Sequence, residues 1–129
     1  MALQLSVTVR NARLDAIETA IGTAAILEIR SGSAPADCAT ADSGTLLASM
    51  TLPSDWAAAA SSGSKAKSGT WQEASANATG TAGHFRIKDS GGTVCHVQGT
   101  VTVTGGGGDL TVDNTSIASA QTVTITSFS

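Results

Sequence analysis

The sequence predicts a mainly β protein, an antiparallel β-sandwich with the jelly roll as its most specific form, preceded by an N-terminal α-helix. Three observations carry this prediction. Short runs of period-two alternation recur between clusters of Gly, Ser, Thr and Asp; one pair of runs reads as a hairpin residue by residue; and the chain opens on an apolar stripe at helical spacing with a cap at each end.

The hairpin lies in Ala82 to Val103. Phe85 and Ile87 alternate with His84, Arg86 and Lys88; Ser90-Gly91-Gly92 interrupts; Cys95, Val97, Val101 and Val103 then alternate with polar residues. A three-residue loop with a glycine in the left-handed position sets Ile87 opposite Cys95 and Phe85 opposite Val97. Both apolar sets then share the buried face. His84, facing Gln98, and Arg86, facing His96, fall on the wet one.

The remaining elements follow in order. Ser6 can cap a helix over about 6–22, with Val7, Leu14, Ile17 and Ile21 on one stripe, Arg10, Arg13, Asp15 and Glu18 on wetter faces, and Gly22 as the stop. A strand over Leu3 to Val9 is the competing reading. Ala25 to Arg30 reads as a strand with Leu27 and Ile29 inward and Glu28 and Arg30 outward. Ser31 to Gly44 is a loop, and Thr45 to Leu52 a strand ended by Pro53. Pro53 to Gly69 reads as an exposed excursion in which Ser54 caps one helical turn. Thr70 to Ala74, Asp109 to Asp113 and Gln121 to Ser127 complete a set of about seven strands, with Gly99 as a bend and Gly105 to Gly108 as a hairpin loop. One domain over 1–129 is expected, helix first and sandwich over 24–129.

Leu, Ile, Val and Phe together number 25 of 129 residues, whereas Ala, Gly, Ser and Thr number 70. So little bulk makes a thin core, and contacts between subunits are expected to add stability, which implies a homo-oligomer. A formal charge of −3 offers no footprint for a nucleic-acid backbone, and no run approaches the roughly 20 apolar residues that span a bilayer. The amino terminus lacks the features of a secretory signal, so the expectation is a soluble protein made inside the cell, with no nucleic acid or membrane among its partners. Such a protein keeps its thiols reduced, which favours free Cys38 and Cys95 over a disulfide between them.

Chemistry is sparse. His84 and His96 are two ligands without a third, so no metal site is expected. The tetraglycine before Asp109 lacks the Gly-Lys-Ser/Thr of a phosphate loop, and no serine sits in a nucleophile elbow. No catalytic residue, cofactor or enzymatic activity is predicted. A carbohydrate-binding module is an alternative, but it needs exposed aromatic rings, and tyrosine is absent. Trp71 reads as core and Trp56 as either a surface anchor or a plug under its loop. The candidate interface is therefore Val7, Leu14, Ile17, Ile21 and Trp56.

The segments LEIRSGSAP (Leu27 to Pro35), GTLLA (Gly44 to Ala48), GHFRI (Gly83 to Ile87) and HVQGTVT (His96 to Thr102) resemble a family of small proteins encoded among the structural genes of tailed bacteriophages and prophages. The likeness extends to the amino-terminal NARLDAIETAIG and the terminal TVTITSF. It implies a virion protein made in the bacterial host cytoplasm, first of all a decoration or cement protein on the capsid exterior. Its partners would be the major capsid protein or other virion proteins. A tail or fibre-associated component is the alternative.

Overall fold

The computed structural model describes residues 3–128. Its first element is the expected helix, α1, Val7–Ile21. The Ser6 side chain accepts a hydrogen bond from the Val9 amide at 3.2 Å, satisfying one of the amides that a helix start leaves free. At the other end Gly22 takes φ +82°, and its amide donates to the Glu18 carbonyl at 2.8 Å.

Eight strands follow among the described residues: β1 Ile26–Ser31, β2 Leu46–Thr51, β3 Gln72–Glu73, β4 Gly80–Lys88, β5 Cys95–Val103, β6 Leu110–Val112, β7 Ser116–Ile117 and β8 Val123–Phe128. They form one sheet in the order β2-β1-β4-β5-β6-β8-β3, with β7 paired to the start of β4. The end strands β2 and β3 come into contact, so the sheet curls almost closed, like a barrel. The mainly β class and the helix are as the sequence predicts. The sheet is mixed rather than antiparallel throughout, because β5 and β6 run parallel, Val101 opposite Leu110 and Val103 opposite Val112.

That parallel pair replaces the hairpin expected at the tetraglycine, and the glycines explain it. Gly105 and Gly107 take φ +86° and +82°, folding the chain back along β5 before it turns again into β6. A Cβ on Gly106 or Gly108 would lie 2.8 Å from the Thr102 side chain. Asp109 Oδ2 then accepts from the Thr100 amide at 3.0 Å and fixes the entry to β6.

The β4–β5 register differs from the expected one by two one-residue steps in the same direction, which together restore the parity of the faces. Four residues rather than three form the loop, with Gly92 at φ +69°, which sets Lys88 opposite Cys95. A bulge at His96 then sets Ile87 opposite Val97 and Phe85 opposite Gly99. Phe85, Ile87 and Val97 keep their shared face, but Cys95 moves to the opposite face, beside Arg86. Gly99 is no bend. It leaves room for Phe85, since a Cβ there would sit 2.9 Å from the ring.

The core lies inside the curl. Leu27, Ile29, Leu47, Phe85, Ile87, Leu110, Val112, Ile117 and Ile125 are all buried. Trp56 and Trp71 join them, with ring centroids 6.0 Å apart, and Trp71 continues to Phe128 at 5.5 Å. Tilted aromatic packing thus supplies bulk that the aliphatic count lacks.

The excursion over 53–69 is neither helical nor wholly exposed. Ala57 and Lys67 form a bridge, and Ser61 and Ser64 exchange both backbone hydrogen bonds around a tight turn. Ser62 and Gly63 both take positive φ, 51° and 77°, as a two-residue hairpin turn demands. Serine rarely adopts a positive φ, so its presence at the first turn position hides the turn in the sequence.

Candidate functional site

The excursion positions the helix, and it does so with polar atoms. Asn11, Asp15, Glu18 and Gly22 recur at helical spacing and line one side of α1. Asn11 Oδ1 accepts from the Gly63 amide at 2.9 Å, at the excursion's tip. Asp15 Oδ1 accepts from the Ala60 amide and from Lys65 Nζ, each at 2.8 Å, and Glu18 Oε2 pairs with the same Nζ at 2.9 Å. Gly22 accepts from Trp56 Nε1 at 3.1 Å.

Lys65 is the centre of this clasp. Burial pulls its ammonium toward neutrality, but the hydrogen bonds to Asp15 and Glu18 outweigh that and hold its pKa above the ordinary lysine value. The same bond from Lys65, with the Ala60 amide second, lowers the Asp15 carboxyl. Sequence reasoning assigned Asp15 and Glu18 to solvent. Nothing in their local pattern signals a partner some fifty residues away.

The apolar stripe lies about a quarter-turn round the helix from the clasped side. Its five candidate residues separate. Ile21 (5% exposed) and Trp56 (1%) are in the chain's own core, so neither can present a surface, and Trp56 is the plug rather than the anchor. Ile17 is partly buried against that core. Leu14 is half-buried, and Val7 is 46% exposed. Coverage by the chain itself therefore fades from the C-terminal end of α1 to the N-terminal end, where Leu3 and Val9 are also exposed.

Two hollows flank Ile17. One, of about 450 Å³, has Leu14 and Ile17 on its floor and Arg10, Arg13 and Gly63 around it. The other, of about 340 Å³, runs from Ile17 and Ile21 to His96 and Val97. Neither Arg10 nor Arg13 makes an ion pair among the described residues. The open half of the helix is thus an apolar strip beside two free guanidinium groups.

A second polar assembly covers the outer face of β1 and β4, which the sequence assigns to water. His84, Arg86, Lys88 and Glu28 are instead buried beneath the loop over 32–45. Asp42 of that loop accepts from Arg86 Nη1 at 2.6 Å, from Lys88 Nζ at 2.7 Å and from Arg30 Nη2 at 3.1 Å. Glu28 completes the set through Lys88 at 3.0 Å and Arg30 at 3.1 Å. Burial raises the Asp42 pKa, but the bonds from Lys88 and Arg86 win, and the carboxyl ends below its ordinary value. Arg86 Nη2 also donates to the Cys38 carbonyl at 2.9 Å, and His84 Nδ1 donates to the Gly32 carbonyl at 2.9 Å. Breaking one partner of such a network leaves a buried charge unpaired, so these bonds oppose lifting the loop from the sheet.

Cys95 lies within this second assembly, its Sγ 3.2 Å from Arg86 Nε and 2.8 Å from Cys38 Sγ. Both thiols are free. Among the described residues no three of His, Cys, Asp and Glu gather as a metal site, and no helix is long and apolar enough to cross a membrane. His84 is fully buried and His96 exposed, so the two histidines do not share the wet face on which a joint site was considered. Both tryptophans are buried, which leaves no indole face for a sugar. Comparison with protein-family models, with curated proteins and with solved structures returned no match.

Proposed function

We propose that this chain is a structural protein of a bacteriophage particle, a decoration or cement protein that stabilises the capsid by seating its N-terminal helix on a neighbouring virion protein. The observation that carries the reading is the unevenly covered helix. The clasp through Asn11, Asp15, Glu18 and Lys65 ties α1 to the excursion over 53–69 of its own domain, while Val7 and Leu14 remain open beside Arg10 and Arg13. A helix that served only its own fold would turn its apolar stripe inward along its whole length. A pre-seated apolar strip loses little ordering entropy on docking, and free arginines beside it favour a partner with an apolar knob flanked by carboxylates.

The likeness of the quoted segments to phage structural proteins supplies the rest: the major capsid protein as partner, the virion as location after synthesis in the bacterial cytoplasm, and a homo-oligomer as the assembled form. The finer architecture belongs to the same proposal. The β2-β1-β4 half of the sheet meets the β6-β8-β3 half through Phe85 and Phe128, whose rings contact edge to face at 5.8 Å, as the layers of a sandwich or jelly roll do.

The test is the double variant Val7→Gln, Leu14→Gln, chosen because these two positions touch the chain's own core least. Particle occupancy should fall at least tenfold with the melting temperature nearly unchanged. Unchanged occupancy with unchanged stability would sink the helix as the docking element.

A further inference from the structure

We infer that Cys38 and Cys95 form an intramolecular disulfide when the protein meets a small disulfide such as oxidised glutathione, locking the loop over 32–45 onto the sheet. Cys38 sits in the turn that Asp37 and Thr40 close, the Thr40 amide donating to Asp37 Oδ1 at 2.8 Å, and Cys95 opens β5. Their sulfurs are 2.8 Å apart and so need less than an ångström of movement to reach the roughly 2.05 Å of a covalent bond. The Asp42 network already holds the loop in the seating that the bond would fix.

Reagent access is built in. A hollow of about 280 Å³ is lined by both cysteines together with Thr40, Asp42, Arg86 and Lys88. Arg86 and Lys88 on its wall are paired with Asp42 beside them, so the hollow admits a small disulfide by exposing both thiols rather than by its charge. One thiol, as thiolate, attacks a sulfur of the reagent and expels one glutathione thiolate, forming a mixed disulfide. The other cysteine's thiolate then displaces the second glutathione. Two protein thiols and one reagent disulfide become one protein disulfide and two glutathione thiols, whose sulfurs take up the two released protons.

Burial first, and the neighbouring Cys95 second, push the Cys38 thiol up to about 11. The loop therefore stays reduced for long periods at neutral pH, and locking accelerates as pH rises. A chain folded in a reducing cytoplasm and released into an oxidising medium would lock gradually after release. That timing rests on the virion reading, but the bond itself does not.

The experiment incubates the isolated 129-residue chain, natively folded, with oxidised glutathione at pH 8.5. We expect a mass lower by two hydrogens, a proteolytic peptide pair joining residues 31–65 with 89–129, and a melting temperature raised by about 5–15 °C and restored by dithiothreitol. Cys38→Ser and Cys95→Ser should each carry at most one glutathione and gain no stability. Stable mixed disulfides at both cysteines, intermolecular dimers, or thiols that stay intact while the urea-unfolded chain oxidises would each overturn the inference. Particle occupancy plays no part in this readout, so failure here leaves the capsid proposal standing, and the reverse also holds.

Discussion

Replacing Phe85 with Ala tests the architecture at its tightest point. The ring is 1% exposed, meets Phe128 at 86° with centroids 5.8 Å apart, and lies across the strand pair from Gly99. Removing a fully buried phenylalanine costs about 3–5 kcal/mol, a large share of the 5–15 kcal/mol typical of a domain. At roughly 2 cal/mol/K per residue of unfolding entropy, a chain of 129 residues loses about 10–20 °C of melting temperature. The register adds a sharper expectation. A Cβ at Gly99 would sit 2.9 Å from Phe85 Cε1 and 2.7 Å from Asp109 Oδ2, so Gly99→Ala alone should cost about 1–3 kcal/mol by overpacking. In the Phe85→Ala background one of those two collisions is gone, and Gly99→Ala should cost at least 1 kcal/mol less, roughly. Urea unfolding followed by circular dichroism on the four proteins of the cycle gives the coupling. Strict additivity would refute the pairing of Phe85 with Gly99.

Lys65→Met removes the centre of the helix clasp. Because its partners Asp15 and Glu18 are 46% and 25% exposed, the loss should be limited to about 1–2 kcal/mol, with faster amide exchange in α1 and little change in the strands. Acid should destabilise the fold through Asp42. Its folded pKa lies below the ordinary 3.8, so its contribution is complete above that value and is lost as pH falls through the folded one. Alkali acts through Cys38, whose proton the fold retains. Its contribution is complete below the ordinary 9.0 and lost as pH rises toward about 11, so urea midpoints should decline over that window in the wild type and less in Cys38→Ser. Lys65 and Lys88, both raised above 10.5, add to the decline from about 10.5 upward, as pH climbs through their folded values, so the decline between 9.0 and 10.5 is the part that reports Cys38. Gly108→Ala should destabilise β6 locally, since its Cβ would press on Thr102, and a melting curve matching wild type would count against the tight parallel turn.

What was legible in the sequence was whatever is fixed by local chemistry. Ser6 and Gly22 bound the helix because capping needs only neighbouring atoms, and Phe85, Ile87 and Val97 share a face because strand parity is local. The polar seat under the loop was not legible. Arg86, Lys88 and His84 follow the pattern of a solvated face, and only Asp42, far away in sequence, turns that face inward. Cys95 changed sides because the longer loop shifted the register by one, and the bulge after it, which leaves no mark in periodicity, returned Val97 to the core side. The open half of the candidate site was readable from the stripe of Val7 and Leu14. Its limits were not, because Ile21 and Trp56 are claimed by a core whose curl depends on β8 at the other end of the chain.

Copy number in purified phage particles tests the central claim most directly. A decoration or cement protein coats a shell built from many symmetry-related subunits, so quantitative mass spectrometry against the major capsid protein should find on the order of hundreds of copies of this chain per particle, in a fixed ratio to the capsid subunits. A few to a few dozen copies would move it to the tail or fibre and contradict the capsid role. Complete absence from particles that carry their other structural proteins in full would contradict the virion reading altogether.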